Sequence, residues 1–243
     1  MTAGRRRRSY IEVPTMDERK WAKIPSIPAD VFYADIEDSV PPDLKTGARD
    51  KVVSLVRDPS YFGGREFTCR PNNLNSQWGR RDLEALAEAH APFILYPKVR
   101  SVDELREVKS IFERNGATPE IMLLVETPQA ILHLEELASV PGVGGLAFGP
   151  GDLSLETGTS LLEGARFFHD GFAYGRSKTV MVARALGLEA VEGIFLADLR
   201  NLEILRETVR RSRLLGFSGV MTFYPPHVPV INDVFDEVAT AVA

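Results

Sequence analysis

The sequence predicts a (β/α)8 TIM barrel of the α/β class, and three observations carry that expectation. Short, apolar, β-rich runs alternate with longer amphipathic ones; the alternation repeats eight times; and polar residues collect just after the short runs. The 243 residues are 44% hydrophobic, enough for one large domain that buries most of its apolar surface. Residues 1–243 therefore read as one barrel domain that opens on a basic arm, residues 1–8.

The β-runs, in order, are Tyr10–Val13, Val31–Ile36, Glu66–Arg70, Phe93–Tyr96, Ile121–Val125, Gly145–Phe148, Ala190–Phe195 and Gly219–Phe223. They are brief and often bounded by Gly or Pro, as buried parallel strands are. Helical periodicity fills the gaps at Asp82–Ala89, Val102–Asn115, Ala130–Ala138, Phe167–Leu186 and Leu199–Leu215. The last two run into Gly187 and Gly216, which suit helix C-caps. An apolar pattern from Val230 to Val242 completes the eighth unit. An open doubly wound sheet is the competing arrangement. A count of eight favours closure, and no Gly-x-Gly-x-x-Gly follows the first run to mark a dinucleotide site.

Composition narrows the partners. Lys+Arg number 29 against Asp+Glu 34, a net charge of −5, so nothing calls for nucleic acid. The one cysteine, Cys69, excludes an intramolecular disulfide and a cysteine zinc cluster, and a reducing cytoplasm is the simplest address. No apolar run approaches the ~18 residues of a membrane span, so no membrane partner is expected. Arg5–Arg8 reads as a solvated arm, because Ser9, Glu12 and Asp17 interrupt any apolar segment after it. Its last arginines, Arg8 in particular, are expected to reach the mouth of the site and contact substrate.

In barrels the chemistry sits where strands end. Asp35, Glu37 and Asp38 follow the second run, Arg70, Asn72 and Asn73 the third, Lys98 the fourth, Glu126 the fifth and Asp152 the sixth. Glu126 and Asp152 occupy the same station on successive strands, which brings their backbones to roughly one strand spacing, ~4.8 Å, plus loop offset. Carboxylates that close repel unless a proton or cation lies between them. With no His or Cys beside them, these hard oxygens suit Mg²⁺ or Mn²⁺ better than zinc. The alternative stays open: one acid caps a helix at Thr127-Pro128 while the other makes a surface ion pair. Gly149-Pro150-Gly151 reads as a tight turn aiming Asp152 into the mouth.

Seven segments, in order, resemble the citrate lyase β-subunit-like branch of the HpcH/HpaI aldolase superfamily. They are Arg7-Arg8-Ser9-Tyr10-Ile11-Glu12-Val13-Pro14, Tyr33-Ala34-Asp35-Ile36-Glu37-Asp38-Ser39-Val40, Cys69-Arg70-Pro71-Asn72-Asn73, Tyr96-Pro97-Lys98-Val99, Val125-Glu126-Thr127, Phe148-Gly149-Pro150-Gly151-Asp152-Leu153 and Leu215-Gly216-Phe217-Ser218-Gly219. The resemblance implies Mg²⁺ on Glu126 and Asp152, substrate on Arg70, and cleavage or formation of C–C bonds in small hydroxy- or oxo-acids or their CoA thioesters. It also implies a homo-oligomer, a trimer or hexamer. Asp35 and Asp38 join Arg70 as catalytic candidates, to hold metal waters, orient Arg70 or remove a proton, with Glu37 beside them. Glu126, Arg8 and Lys98 are further substrate-binding candidates, and the bland readings are ion pairs along the rim: Arg70 to Asp35 or Glu37, Lys98 to a neighbouring acid.

The sequence also departs from that pattern. No His follows the second-strand acids, where the pyruvate-type aldolases have one. Val220 stands where the citrate lyase branch often has Lys, Thr15 replaces an early Gly, and the chain stops at Ala243, about where an eighth helix finishes. These features weigh against a CoA thioester without excluding it. His90, His133 and His169 read as surface or packing residues, Trp21 and Trp78 as packing, and His227 and Tyr224 as residues near the mouth or capping a helix. A metal-dependent thioesterase and a non-catalytic barrel subunit of an assembly are the alternatives to a lyase.

Overall fold

Eight parallel strands close on themselves: β1 (Ser9–Pro14), β2 (Val31–Asp35), β3 (Glu66–Arg70), β4 (Phe93–Tyr96), β5 (Glu120–Val125), β6 (Val143–Phe148), β7 (Glu189–Gly193) and β8 (Gly219–Thr222). β8 pairs β1 through Tyr10↔Met221, which makes the expected barrel. The computed structural model describes residues 6–161 and 170–237. Helices among these residues are α1 (Glu18–Trp21), α2 (Lys45–Arg57), α3 (Gly79–Glu88), α4 (Val102–Arg114), α5 (Pro128–Leu132), α6 (Leu134–Ala138), α7 (Pro150–Thr157), α8 (Asp170–Ala185), α9 (Leu202–Leu215) and α10 (His227–Asp236).

The period-2 pattern of the strands explains both core layers. Tyr10, Val31, Tyr33, Phe93, Leu95, Met122, Leu124, Ala147, Val191 and Met221 fill the barrel interior. Their neighbours Ile11, Phe32, Ile94, Leu123 and Leu146 face the helices and join the larger cluster between sheet and helix ring. Each fully buried aliphatic or Phe side chain contributes about 1.5–3 kcal/mol, so both faces of every strand favour closure.

The helices differ from expectation where capping overrides periodicity. Asn201 caps α9 by accepting from the Ile204 amide, so that helix starts at Leu202 instead of Leu199. The run Ala130–Ala138 splits at His133, and α3 starts three residues early, at Gly79, tight against the Asn73 carbonyl. Gly216 caps α9 at φ +114°, as its position suggests. Phe167, His169 and residues 238–242 of the two terminal expectations lie outside the described residues, as do residues 1–5 of the basic arm.

Arg7 and Arg8 correct the reading of that arm. Arg7 is 6% exposed and plugs the N-terminal end of the barrel. It donates to Glu66 (2.6 Å), Glu120 (2.5 Å) and Glu189 (3.2 Å), which open β3, β5 and β7, and lies over the Phe93 ring. The three glutamates form one layer from odd-numbered strands, the packing rule of eight-stranded barrels. Arg8 pairs with Asp30 and Asp236 at the same end. It therefore stands at the opposite end from the strand tips and cannot contact a substrate there. Barrel closure puts the start of β1 at the bottom.

Candidate active site

Two strand ends set the carboxylate pair. After β5, Thr127 rather than Glu126 is the N-cap of α5: its hydroxyl accepts from the Ala130 amide, and Pro128 takes the first helical position. Glu126 is thereby left facing the mouth. After β6, Gly149-Pro150-Gly151 is not an isolated turn but the start of α7, with Asp152 in its first turn where the helix dipole favours an anion. Gly149 is required here, because a Cβ on it would lie 2.8 Å from both Cβ and Oε2 of Glu126. Both acids line one open cleft of about 440 Å³, together with Arg70, Tyr33, Asp38, Leu124, Met221 and Phe223.

The other strand-end charges interlock. Asp35, fully buried, accepts from Arg70 Nε (2.8 Å) and Nη2 (2.7 Å) and from the amides of Glu37 and Ser39. Burial alone would raise its pKa, but the Arg70 charge and hydrogen bonds, with the Ser39 and Glu37 donors, bring it down to about 2. Asp35 thus stays ionised and fixes Arg70, which is one of its expected roles; proton removal does not suit so saturated a carboxylate. Lys98 reaches Glu37 (2.9 Å), Asp38 (2.9 Å) and Asp152 (3.4 Å), while its own amide donates to Glu126 Oε1 (2.9 Å). Its φ of +49° is a left-handed conformation for a side-chain-bearing residue, held by these contacts. The ion-pair readings for Arg70 and Lys98 both hold. They leave Arg70 Nη1 without a hydrogen bond among the described residues, free to meet a ligand oxygen.

Glu126 is 3% exposed and lies within ion-pair distance of no Lys or Arg among the described residues. Burial pushes its carboxyl up to about 8; Arg70 opposes this, and Glu37 and Asp152 add to it. Glu37 is pushed up to about 7, mainly by burial, and among the described residues its buried Oε2 has no hydrogen-bond donor, only Arg70 Nε at 3.6 Å. Hard oxygens, mutual repulsion and an orphaned acceptor for a coordinated water fit a small divalent cation on Glu126 and Asp152. Two protein carboxylates are the usual complement for Mg²⁺, which keeps its remaining positions for water and substrate.

The remaining candidates fall away from the chemistry. His227 is buried, its ring bonded to Thr222 Oγ1 (2.9 Å) and the Leu199 carbonyl (2.8 Å), so it ties two loops together. Tyr224 packs edge-on against it. Trp21 and Trp78 face Lys51 and Lys45. Reading the sequence missed Lys45, a buried cation that donates to the Ile36 carbonyl and Asn72 Oδ1 and supports the acidic loop from below. Its only local signal is a lysine at a helix start, which ordinarily belongs in solvent.

A sequence profile of HpcH/HpaI aldolase/citrate lyase matches residues 8–225. The chain is 33% identical over 232 residues to (3S)-malyl-CoA thioesterase of Cereibacter sphaeroides (strain KD131 / KCTC 12085), covering 94% of this chain and 76% of that protein. It is 30% identical over 247 residues to human mitochondrial citramalyl-CoA lyase, covering 94% and 71%. Among solved structures, a citrate lyase β subunit from M. tuberculosis complexed with oxaloacetate and magnesium superposes with a TM-score of 0.80 at 26% identity, over 96% of this chain and 97% of that one. With a closed eight-stranded barrel, a carboxylate pair at its C-terminal mouth and a profile match over most of its length, this chain belongs to the HpcH/HpaI aldolase/citrate lyase family.

Proposed function

We propose that this protein is a Mg²⁺-dependent carbon–carbon lyase acting on a small hydroxy- or oxo-acid or its CoA thioester. The observation that carries this reading is Glu126, a buried carboxylate with no ion pair to a Lys or Arg among the described residues, in one cleft with Asp152 and a guanidinium that Asp35 holds in place. Glu126 and Asp152 would hold the metal, which when bound supplies Lewis-acid polarisation of a substrate oxygen. Arg70 donates from Nη1 to the substrate carboxylate or the oxygen that gains charge as the C–C bond breaks. Asp35 keeps that guanidinium aimed, and Lys98 keeps Glu37 and Asp38 from turning into the ligand position. Leu124, Phe148 and Met221 keep the cleft floor dry enough for these charges to act strongly.

The likeness to a malyl-CoA thioesterase supports a second reading, hydrolysis by an activated water at the same residues. Product analysis with (3S)-malyl-CoA, citramalyl-CoA and oxaloacetate separates the two, because cleavage gives two carbon fragments and hydrolysis leaves the acid skeleton whole. For both readings, calorimetry with Mg²⁺ should show binding to the parent protein and none to Glu126→Ala or Asp152→Ala with the fold retained. Normal affinity in both variants would refute the metal site.

A further inference from the structure

Behind the wall of the mouth stands a carboxylate that no role above uses. Glu12 stands opposite Tyr33 in the β1–β2 register, and its side chain shares the interior face with Tyr10. Tyr33 lines the cleft, and its hydroxyl donates to Glu12 Oε2 at 3.3 Å. That is the one hydrogen bond Glu12 accepts among the described residues, and it has no ion pair with a Lys or Arg there. Asp35, by contrast, accepts four short bonds, the pattern of an acid whose work is to hold structure.

The other groups of the mouth are engaged. Glu37 and Asp38 receive Lys98, Glu126 and Asp152 form the carboxylate pair, and both ring nitrogens of His227 are bonded. Among the described residues, this leaves a hydroxyl on the cleft wall with a lightly bonded carboxylate behind it. We propose that Tyr33 and Glu12 form the proton relay of the reaction: Tyr33 accepts the proton of the substrate hydroxyl while passing its own to Glu12. This rests on the lyase reading. The O–H electron pair becomes the new C=O bond, and the pair of the breaking C–C bond moves onto the departing carbon as an enolate. The proton then returns from Glu12 through Tyr33 to that carbon, so Glu12 ends as it began and no co-reactant is consumed. Burial pushes Glu12 above the usual carboxylate range; Asp35 adds to this, Arg70 and the Tyr33 hydrogen bond oppose it, and Asp38 adds a little. That direction makes Glu12 a stronger base than a solvated carboxylate.

The test compares the parent with Glu12→Gln, Glu12→Asp and Tyr33→Phe, all loaded with Mg²⁺. It measures kcat and KM against pH, Mg²⁺ affinity by calorimetry, and deuterium uptake at the enolisable carbon of the product by NMR. Glu12→Gln and Tyr33→Phe should lower kcat and deuterium uptake by about 10²–10⁴-fold, the usual worth of a positioned acid–base group. Mg²⁺ affinity and KM should stay within about twofold, since the lost interaction belongs to the transition state. The acid limb of the kcat profile should vanish in Glu12→Gln and reappear in Glu12→Asp, which a purely structural acid would not bring about. Parental kcat, exchange and acid limb in Glu12→Gln and Tyr33→Phe would overturn the relay while leaving the lyase reading intact. If Glu12→Gln does not fold, Tyr33→Phe decides alone, because it keeps the ring in the interior cluster. A parent protein that binds Mg²⁺ yet neither cleaves nor exchanges would overturn the lyase reading and the relay with it.

Discussion

The two ends of this barrel are built from the same residue types and arranged to opposite effect. At the N-terminal end three glutamates converge on one guanidinium, so Glu66, Glu120 and Glu189 each pair with Arg7 within 3.2 Å. At the C-terminal end Asp35, Glu37, Asp38, Glu126 and Asp152 lie around Arg70 and Lys98, with Glu12 behind Tyr33, and the two cations are spent on Asp35, Glu37, Asp38 and one edge of Asp152. Glu126 meets neither cation within ion-pair distance. A closed charge cluster stabilises; an incomplete one binds. The difference lies in how the guanidinium is oriented. Arg7 spreads all its nitrogens over three acids, whereas Asp35 takes two donors of Arg70 and leaves Nη1 without a hydrogen bond among the described residues.

Removing Arg7 tests the stabilising half of the comparison most harshly. Arg7→Ala removes the guanidinium on which three partly buried carboxylates converge and should cost about 2–4 kcal/mol in denaturant unfolding, somewhat less than the penalty for breaking a fully buried charge cluster. Mg²⁺ affinity of the folded fraction should be unchanged; a loss of both would mean that the ends are coupled. At the other end, Arg70→Lys should lower kcat/KM by about 10²–10³-fold, because an ammonium cannot serve Asp35 and a ligand oxygen with two directed donors. Steady-state kinetics checks this, and a change confined to stability would assign Arg70 a purely structural part.

Acidity separates the ends without mutation. In the metal-free protein the carboxyls of Glu37 and Glu126 are pushed up to about 7 and about 8, so their folded-state pKa values exceed the unfolded ones. Their contribution to stability is present at low pH and is lost as pH rises through those values. Metal-free melting temperature should therefore fall between about pH 5 and pH 8, and Mg²⁺ should oppose the fall, since the cation replaces the proton. Mg²⁺ affinity should rise by up to about tenfold per pH unit and level off above about pH 8; a flat profile would place the cation elsewhere. The smallest effect is expected for Gly149→Ala. The added methyl meets Cβ and Oε2 of Glu126 and should weaken Mg²⁺ binding by about tenfold through displacement of a ligand, with a fall in melting temperature smaller than that of Arg7→Ala.

Much of the site was legible in the order of residues. Strands announce themselves by short apolar runs, and a barrel places the residue after each run at one end, so Arg70, Lys98, Glu126 and Asp152 could be assigned to a common mouth from their stations alone. Thr127-Pro128 carried enough capping chemistry to locate the start of α5. Four successive arginines look solvated in sequence because the partners of Arg7 lie 59, 113 and 182 residues away and those of Arg8 lie 22 and 228. Glu12 suffered the opposite fate. On paper it interrupts an apolar run; in the barrel it shares an interior face with Tyr33.

Local pattern thus determined the fold class, the strand tips and the chemical character of the mouth, because periodicity and capping are properties of neighbouring residues. Only tertiary structure decided which charge meets which: that Asp35 holds Arg70, that Lys98 bridges three acids, that Arg7 seals the far end and that Glu126 pairs with no Lys or Arg among the described residues. Ion pairing depends on distance in space, and in a closed barrel that distance is set by register and shear across strands far apart in the chain.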